Sequence, residues 1–87
     1  MVFKVGNTMF GLLPLEGEPP RVSLKCDPMR ALALRARYPA AQPGYHQDKR
    51  HWNTLLLDGT IPAAELQALI EHSYALVVAG LRRADRP

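Results

Sequence analysis

The sequence predicts an α+β domain: a two-layer fold with one antiparallel sheet and helices on a single face, in the order βββα(β)βα. Three observations carry that expectation. Two short strand-like runs flank Gly6-Asn7 near the N-terminus. Asp27-Pro28 opens a run with helical apolar spacing, and Pro62 opens a second. Between these helices lies the strand-forming stretch His51-Trp52-Asn53-Thr54-Leu55-Leu56-Leu57.

Each element follows from its residues. Residues 2–5 and 8–13 are strand-like runs around Gly6-Asn7, a pair that tolerates positive φ and so closes a tight hairpin. Residues 14–20 contain three prolines and a glycine, which remove ladder donors and make a loop. Residues 21–26 then alternate, placing Val22, Leu24 and Cys26 toward the core and Arg21, Ser23 and Lys25 outward. Asp27 is an N-cap and Pro28 suits the first helical position. Met29, Leu32, Ala33 and Ala36 form the expected buried stripe of this helix. Tyr38-Pro39 ends it, because the residue before proline avoids the α region. Residues 40–44 read as a connector, and Tyr45-His46 as a short strand. Asp58-Gly59 ends the strand of residues 51–57. The last helix runs from Pro62 to about Arg83. Leu66, Leu69, Ile70, Ser73, Val77 and Leu81 form its inner stripe, and Glu65, Glu71 and His72 face water.

Composition bounds the function. A chain of 87 residues is one domain and buries about two-thirds of its unfolded surface. Apolar residues make up 47%, enough for one packed core. No run approaches the ~20 apolar residues of a membrane span. The start lacks the length and flanks of a signal peptide. The single cysteine, Cys26, excludes an intrachain disulfide and fits a reducing, cytoplasmic compartment.

The net charge is +3, but residues 30–50 carry Arg30, Arg35, Arg37, Lys49 and Arg50 against Asp48 alone, a local +4. Such a patch suits a polyanion, although a solvated helix and loop look the same in sequence. No catalytic set emerges. His46, Asp48, His51 and Asp58 are spread along a turn and strand, where successive side chains alternate faces. Ser23 and Ser73 lie in no nucleophile turn. Cys26 has no sequence-linked histidine and reads as a core residue. No metal-ligand spacing or phosphate loop occurs, so no metal and no cofactor are expected. Trp52, the only tryptophan, either stacks on a base or anchors the sheet to a helix.

The segment Pro43-Gly44-Tyr45-His46-Gln47-Asp48-Lys49-Arg50-His51-Trp52-Asn53-Thr54, followed by Leu57-Asp58-Gly59, resembles the MmcQ/YjbR family. Residues 21–28 resemble its strand-to-helix junction and residues 69–74 its last helix. The resemblance spans residues 2–81. It implies one domain over 1–87, of secretion-chaperone-like architecture with a double-wing motif, and short at the N-terminus by the family's first helices. It also implies DNA as partner. Lys25, Arg30, Arg37, His46, Lys49, Arg50, His51 and Trp52 are the expected nucleic-acid-binding residues. Asp48 departs from the asparagine usual there and lowers the local positive potential. The alternative is a chaperone-like homodimer, pairing through an uncovered sheet face, with no nucleic-acid role. A membrane or small-molecule partner is not expected.

Overall fold

The computed structural model describes residues 1–44 and 47–87. The elements are β1 (Val2–Val5), β2 (Thr8–Leu12), β3 (Arg21–Lys25), α1 (Pro28–Arg37), β4 (Ala41–Pro43), β5 (Trp52–Leu56) and α2 (Ala63–Gly80), then a 3-10 turn at Arg83–Asp85. They form the expected α+β fold. The sheet order is β1-β2-β3-β5-β4, and every neighbouring pair is antiparallel.

The first hairpin closes as its turn residues require, with φ of 55° at Gly6 and 62° at Asn7. Its register slips once. Phe3 pairs with Gly11 and Lys4 with Met9, so Phe10 is extra on its strand. Such a bulge re-aims a side chain. The Phe10 ring meets Tyr74 of α2 edge-on at 5.6 Å between centroids.

Both helices cover the same sheet face. Leu34 of α1 and Leu69 and Ser73 of α2 meet Leu24, Asn53 and Leu55 there. Alternation along β3 and β5 therefore puts Ser23, Trp52 and Thr54 on the other face. Among the described residues, no helix is long and apolar enough to cross a membrane.

The expected Tyr45-His46 strand lies outside the described residues. Elsewhere the structure corrects several details. The stretch read as a connector instead supplies β4, which pairs Ala41 with Leu55 and Gln42 with Thr54. Pro43 is tolerated because β4 is an edge strand and needs no donor on its outer side. Ser23 does not face water. It is buried, with its hydroxyl 2.9 Å from that of its cross-strand partner Thr54.

On α1 the expected buried stripe is the exposed one. Met29 is 77% and Leu32 59% exposed, Ala33 and Ala36 face solvent, and Ala31 and Leu34 are buried. Alanines lie around this short helix, so apolar period alone does not choose its inner side. Close approach chooses it: Ala31 lets the backbone come near enough for Asn53 Nδ2 to donate to its carbonyl at 3.2 Å. On α2, Leu69, Ser73 and Val77 are buried as expected, while Ile70 stays 45% exposed. The helix stops at Gly80. His72 is half-buried rather than free, accepting the Asp27 N–H at 3.2 Å.

Candidate functional site

The loop from Gln47 to His51 is organised by Asp48. Its carboxylate accepts the Arg50 N–H at 2.9 Å and pairs with His51 Nδ1 at 2.8 Å. The His51 N–H returns to the Asp48 carbonyl at 3.2 Å. The hydrogen bond from His51, followed by the Arg50 amide, holds the Asp48 carboxyl below its ordinary range. Asp48 is thus a turn-forming residue whose charge is directed at its own loop.

Two cations fasten this loop. Lys49 Nζ donates to the Gly44 carbonyl at 3.2 Å. Arg35 of α1 reaches across, its Nε donating to Asn53 Oδ1 at 2.7 Å and its guanidinium also to the Lys49 carbonyl. Asn53, 2% exposed, binds α1 through the Ala31 carbonyl and through Arg35. The planar fork of arginine bridges two acceptors at once, which a lysine ammonium does poorly. Gly44 packs tightly here: a Cβ on it would lie 2.7 Å from Trp52 Cβ.

Between α1 and this loop opens a cleft of about 200 Å³, lined by Pro28, Leu32, Arg35, Lys49 and Arg50. Leu32 and Pro28 supply an apolar wall, while Lys49 and Arg50 supply a cationic one. Among the described residues, no carboxylate lines it.

The structure divides the sequence-predicted residues. Lys49 and Arg50 meet at the cleft. Arg30 sits on α1 with its charge bearing on Cys26 and on His72 of α2. The Arg37 guanidinium lies 5.2 Å from the centre of the Tyr38 ring. Lys25 is paired with Trp52 at the end of the sheet, its side chain on the face away from the helices by alternation. Trp52 is buried at 8% exposure, so it offers no open ring face. It lies on the face away from the helices and outside the core cluster that joins them, so it does not anchor the sheet to a helix. His51 serves the turn, and its carbonyl accepts the Cys26 N–H at 2.7 Å. His46 lies outside the described residues. Sequence reasoning counted Arg35 as charge only and missed its bridging role. The signal available was the spacing of Pro28, Leu32 and Arg35, which puts them on one helix face.

The other reactive groups are held in structural roles. Burial pushes the Cys26 thiol up, away from the thiolate that nucleophilic chemistry needs. Burial, then the Arg30 charge, pushes His72 down. Asp58 is low because the Thr60 hydroxyl and amide hydrogen-bond to it, at 2.6 and 3.0 Å. Among the described residues, no group of three or more His, Cys, Asp or Glu could hold a metal ion.

A second recess lies under α2. It is about 320 Å³ and is lined by Phe3, Phe10, Leu13, Val22, Leu24, Leu57, Leu66 and Ile70, all apolar.

Comparison with known proteins places the chain. The YjbR family model matches residues 1–76. An uncharacterized Escherichia coli O157:H7 protein, YbdF, is 39% identical over 98% of this chain and 70% of its own length. The uncharacterized YjbR of Escherichia coli K12 is 35% identical over 86% of this chain and 64% of its own length. Among solved structures, the DUF419 protein DR2400 of Deinococcus radiodurans superposes with a TM-score of 0.83 at 44% identity, over 88% of this chain and 57% of that one. A Pseudomonas syringae protein superposes with a TM-score of 0.75 at 32% identity, over 86% of this chain and 74% of that one. The chain belongs to the YjbR family, and spans between about half and three-quarters of the length of these relatives.

Proposed function

We propose that this YjbR-family domain is a non-enzymatic, cytoplasmic DNA-binding module that meets the phosphate backbone with the cleft between α1 and the Asp48–His51 turn. One observation carries the reading: Arg35, Lys49 and Arg50 line a recess in which no described carboxylate opposes them. Lysine and arginine neutralise phosphates and release counterions, a sequence-independent source of affinity. The Asp48 charge, engaged by His51 and the Arg50 amide, is spent on shaping the turn. The bridge from Arg35 to Asn53 holds the cationic wall rigid against α1.

Fluorescence anisotropy with a labelled duplex across a salt series tests this. Contact with two or three phosphates gives a slope of about −2 to −3 in log affinity against log salt. The pair Lys49→Glu with Arg50→Glu removes most of that binding. Failure of the wild-type protein to bind duplex at low salt would end the reading.

A second reading, self-association, has its own observation in the apolar recess under α2, beside the exposed Ile70 and Tyr74. An exposed apolar surface of this kind suits a protein partner. Sedimentation that shows a monomer at all concentrations removes it.

A further inference from the structure

The cleft has two walls of unlike chemistry, and phosphate contacts use only one. Leu32 lines the apolar wall and is 59% exposed. Met29, one turn earlier on the same helix face, is 77% exposed. Pro28 completes the wall at the helix start. Met29 and Leu32 were expected in the core from their spacing, yet Ala31 and Leu34 took that place. Leu32 therefore stands in water in the same cleft as Lys49 and Arg50, with exposed Met29 next to it on the helix face. An intact duplex leaves them idle, because it presents phosphates and sugars there and keeps its base faces stacked.

We infer that the cleft takes nucleic acid with unstacked bases, single-stranded or locally opened, with the sugar-phosphate chain on Lys49 and Arg50 and a base face on Met29 and Leu32. The inference rests on the reading of this cleft as a phosphate-binding surface. Charge complementarity fixes the strand: the cationic wall demands an anionic backbone, and the apolar wall beside it demands a neutral, flat, poorly hydrated group. A nucleotide carries both groups. Leucine, methionine and proline are side chains that other proteins insert against unstacked base steps. At about 200 Å³ the cleft is smaller than the ~300 Å³ or more of a typical small-molecule pocket. It suits one base of a longer strand better than a free dinucleotide.

The test compares a labelled oligothymidylate with a duplex of equal length at one salt concentration, by anisotropy. Wild-type protein, Met29→Ser with Leu32→Ser, and Lys49→Glu with Arg50→Glu are run together. Both serine positions are exposed, so the fold is retained, as circular dichroism checks. The expected result is about tenfold tighter binding of the single strand by the wild type. The serine pair abolishes that preference, bringing single-strand affinity down to that of the duplex. The glutamate pair weakens both. Equal affinity of the wild type for the two forms overturns the inference and leaves duplex binding standing. A preference that survives the serine pair also overturns it, since the bases then rest elsewhere. Binding of neither form at low salt overturns the phosphate reading itself. Self-association that the serine pair dissolves overturns the inference in favour of a second copy on this wall.

Discussion

Two of the recesses among the described residues are built on opposite principles. The recess under α2 is walled entirely by apolar side chains drawn from the hairpin, β3 and the helix. The cleft beside α1 is walled by three cations, a proline and a leucine, and is held by hydrogen bonds from Arg35, Lys49 and Asn53. The first is continuous with the core, since Val22 and Leu24 belong to both. The second has only Arg35, half-buried, at its base, while Lys49 and Arg50 reach into solvent. On the proposed reading stability and binding are thereby separated. Residues of the apolar recess hold the fold, and the cationic wall, apart from the hydrogen bonds of Arg35 and Lys49, can change at little cost to it.

That separation is open to attack by substitution. The largest effect is expected at Leu24, 3% exposed and shared between core and recess. Leu24→Ala loses about 2–5 kcal/mol of stability in urea melts, while the remaining folded protein binds nucleic acid as before. A melt unchanged from wild type shows that the apolar recess carries no packing energy.

Arg35→Ala comes next and blurs the division, because Arg35 belongs to both structure and site. It removes the donor to Asn53 Oδ1 and the link to the Lys49 carbonyl. A buried acceptor left without its partner costs about 1–3 kcal/mol. Arg35→Lys keeps the charge but loses the fork, so denaturation shows little rescue. Full rescue by lysine contradicts the bridging role.

Reversing charge at Lys49 and Arg50 gives the converse result. Both are exposed, so the pair shifts stability by no more than about 1 kcal/mol, the cost of the lost hydrogen bond from Lys49 Nζ to the Gly44 carbonyl. Affinity for nucleic acid falls at least about tenfold, or ~1.4 kcal/mol. Unfolding of this variant, measured by its melting temperature, shows instead that the turn's charges are structural.

The smallest effect concerns Asp48 and pH. Its carboxyl is depressed in the folded chain by the His51 and Arg50 hydrogen bonds. The folded value lies below the unfolded one, so the contribution is present above about pH 4. It is lost as pH falls through the folded value. Melting temperature followed through the acid range drops more steeply for the wild type than for Asp48→Asn. Parallel curves show that the turn draws nothing from the ionised carboxylate.

Much of the fold was legible along the chain, and the reason is locality. Gly6-Asn7 fixes a hairpin turn, Asp27-Pro28 a helix start, and Tyr38-Pro39 a helix end, each through the conformations of one or two residues. The alternation in β3, the strand-forming run of β5 and the basic composition of residues 30–50 were equally plain. What stayed hidden depended on contacts between distant residues. Which side of α1 turns inward was settled by Ala31 approaching Asn53, 22 positions away. That rotation left Met29 and Leu32 in solvent and made the apolar wall of the cleft. The cationic wall is set by Arg35 reaching Lys49 and Asn53, 14 and 18 positions on. The sequence by itself determined the elements and the charge of the basic segment, because propensity, capping and composition are properties of neighbouring residues. Only the tertiary structure decided which cations share a site and which apolar residues stand beside them. Helix rotation and hydrogen-bond reach are decided by packing in three dimensions, where residues far apart in the chain compete for the same space.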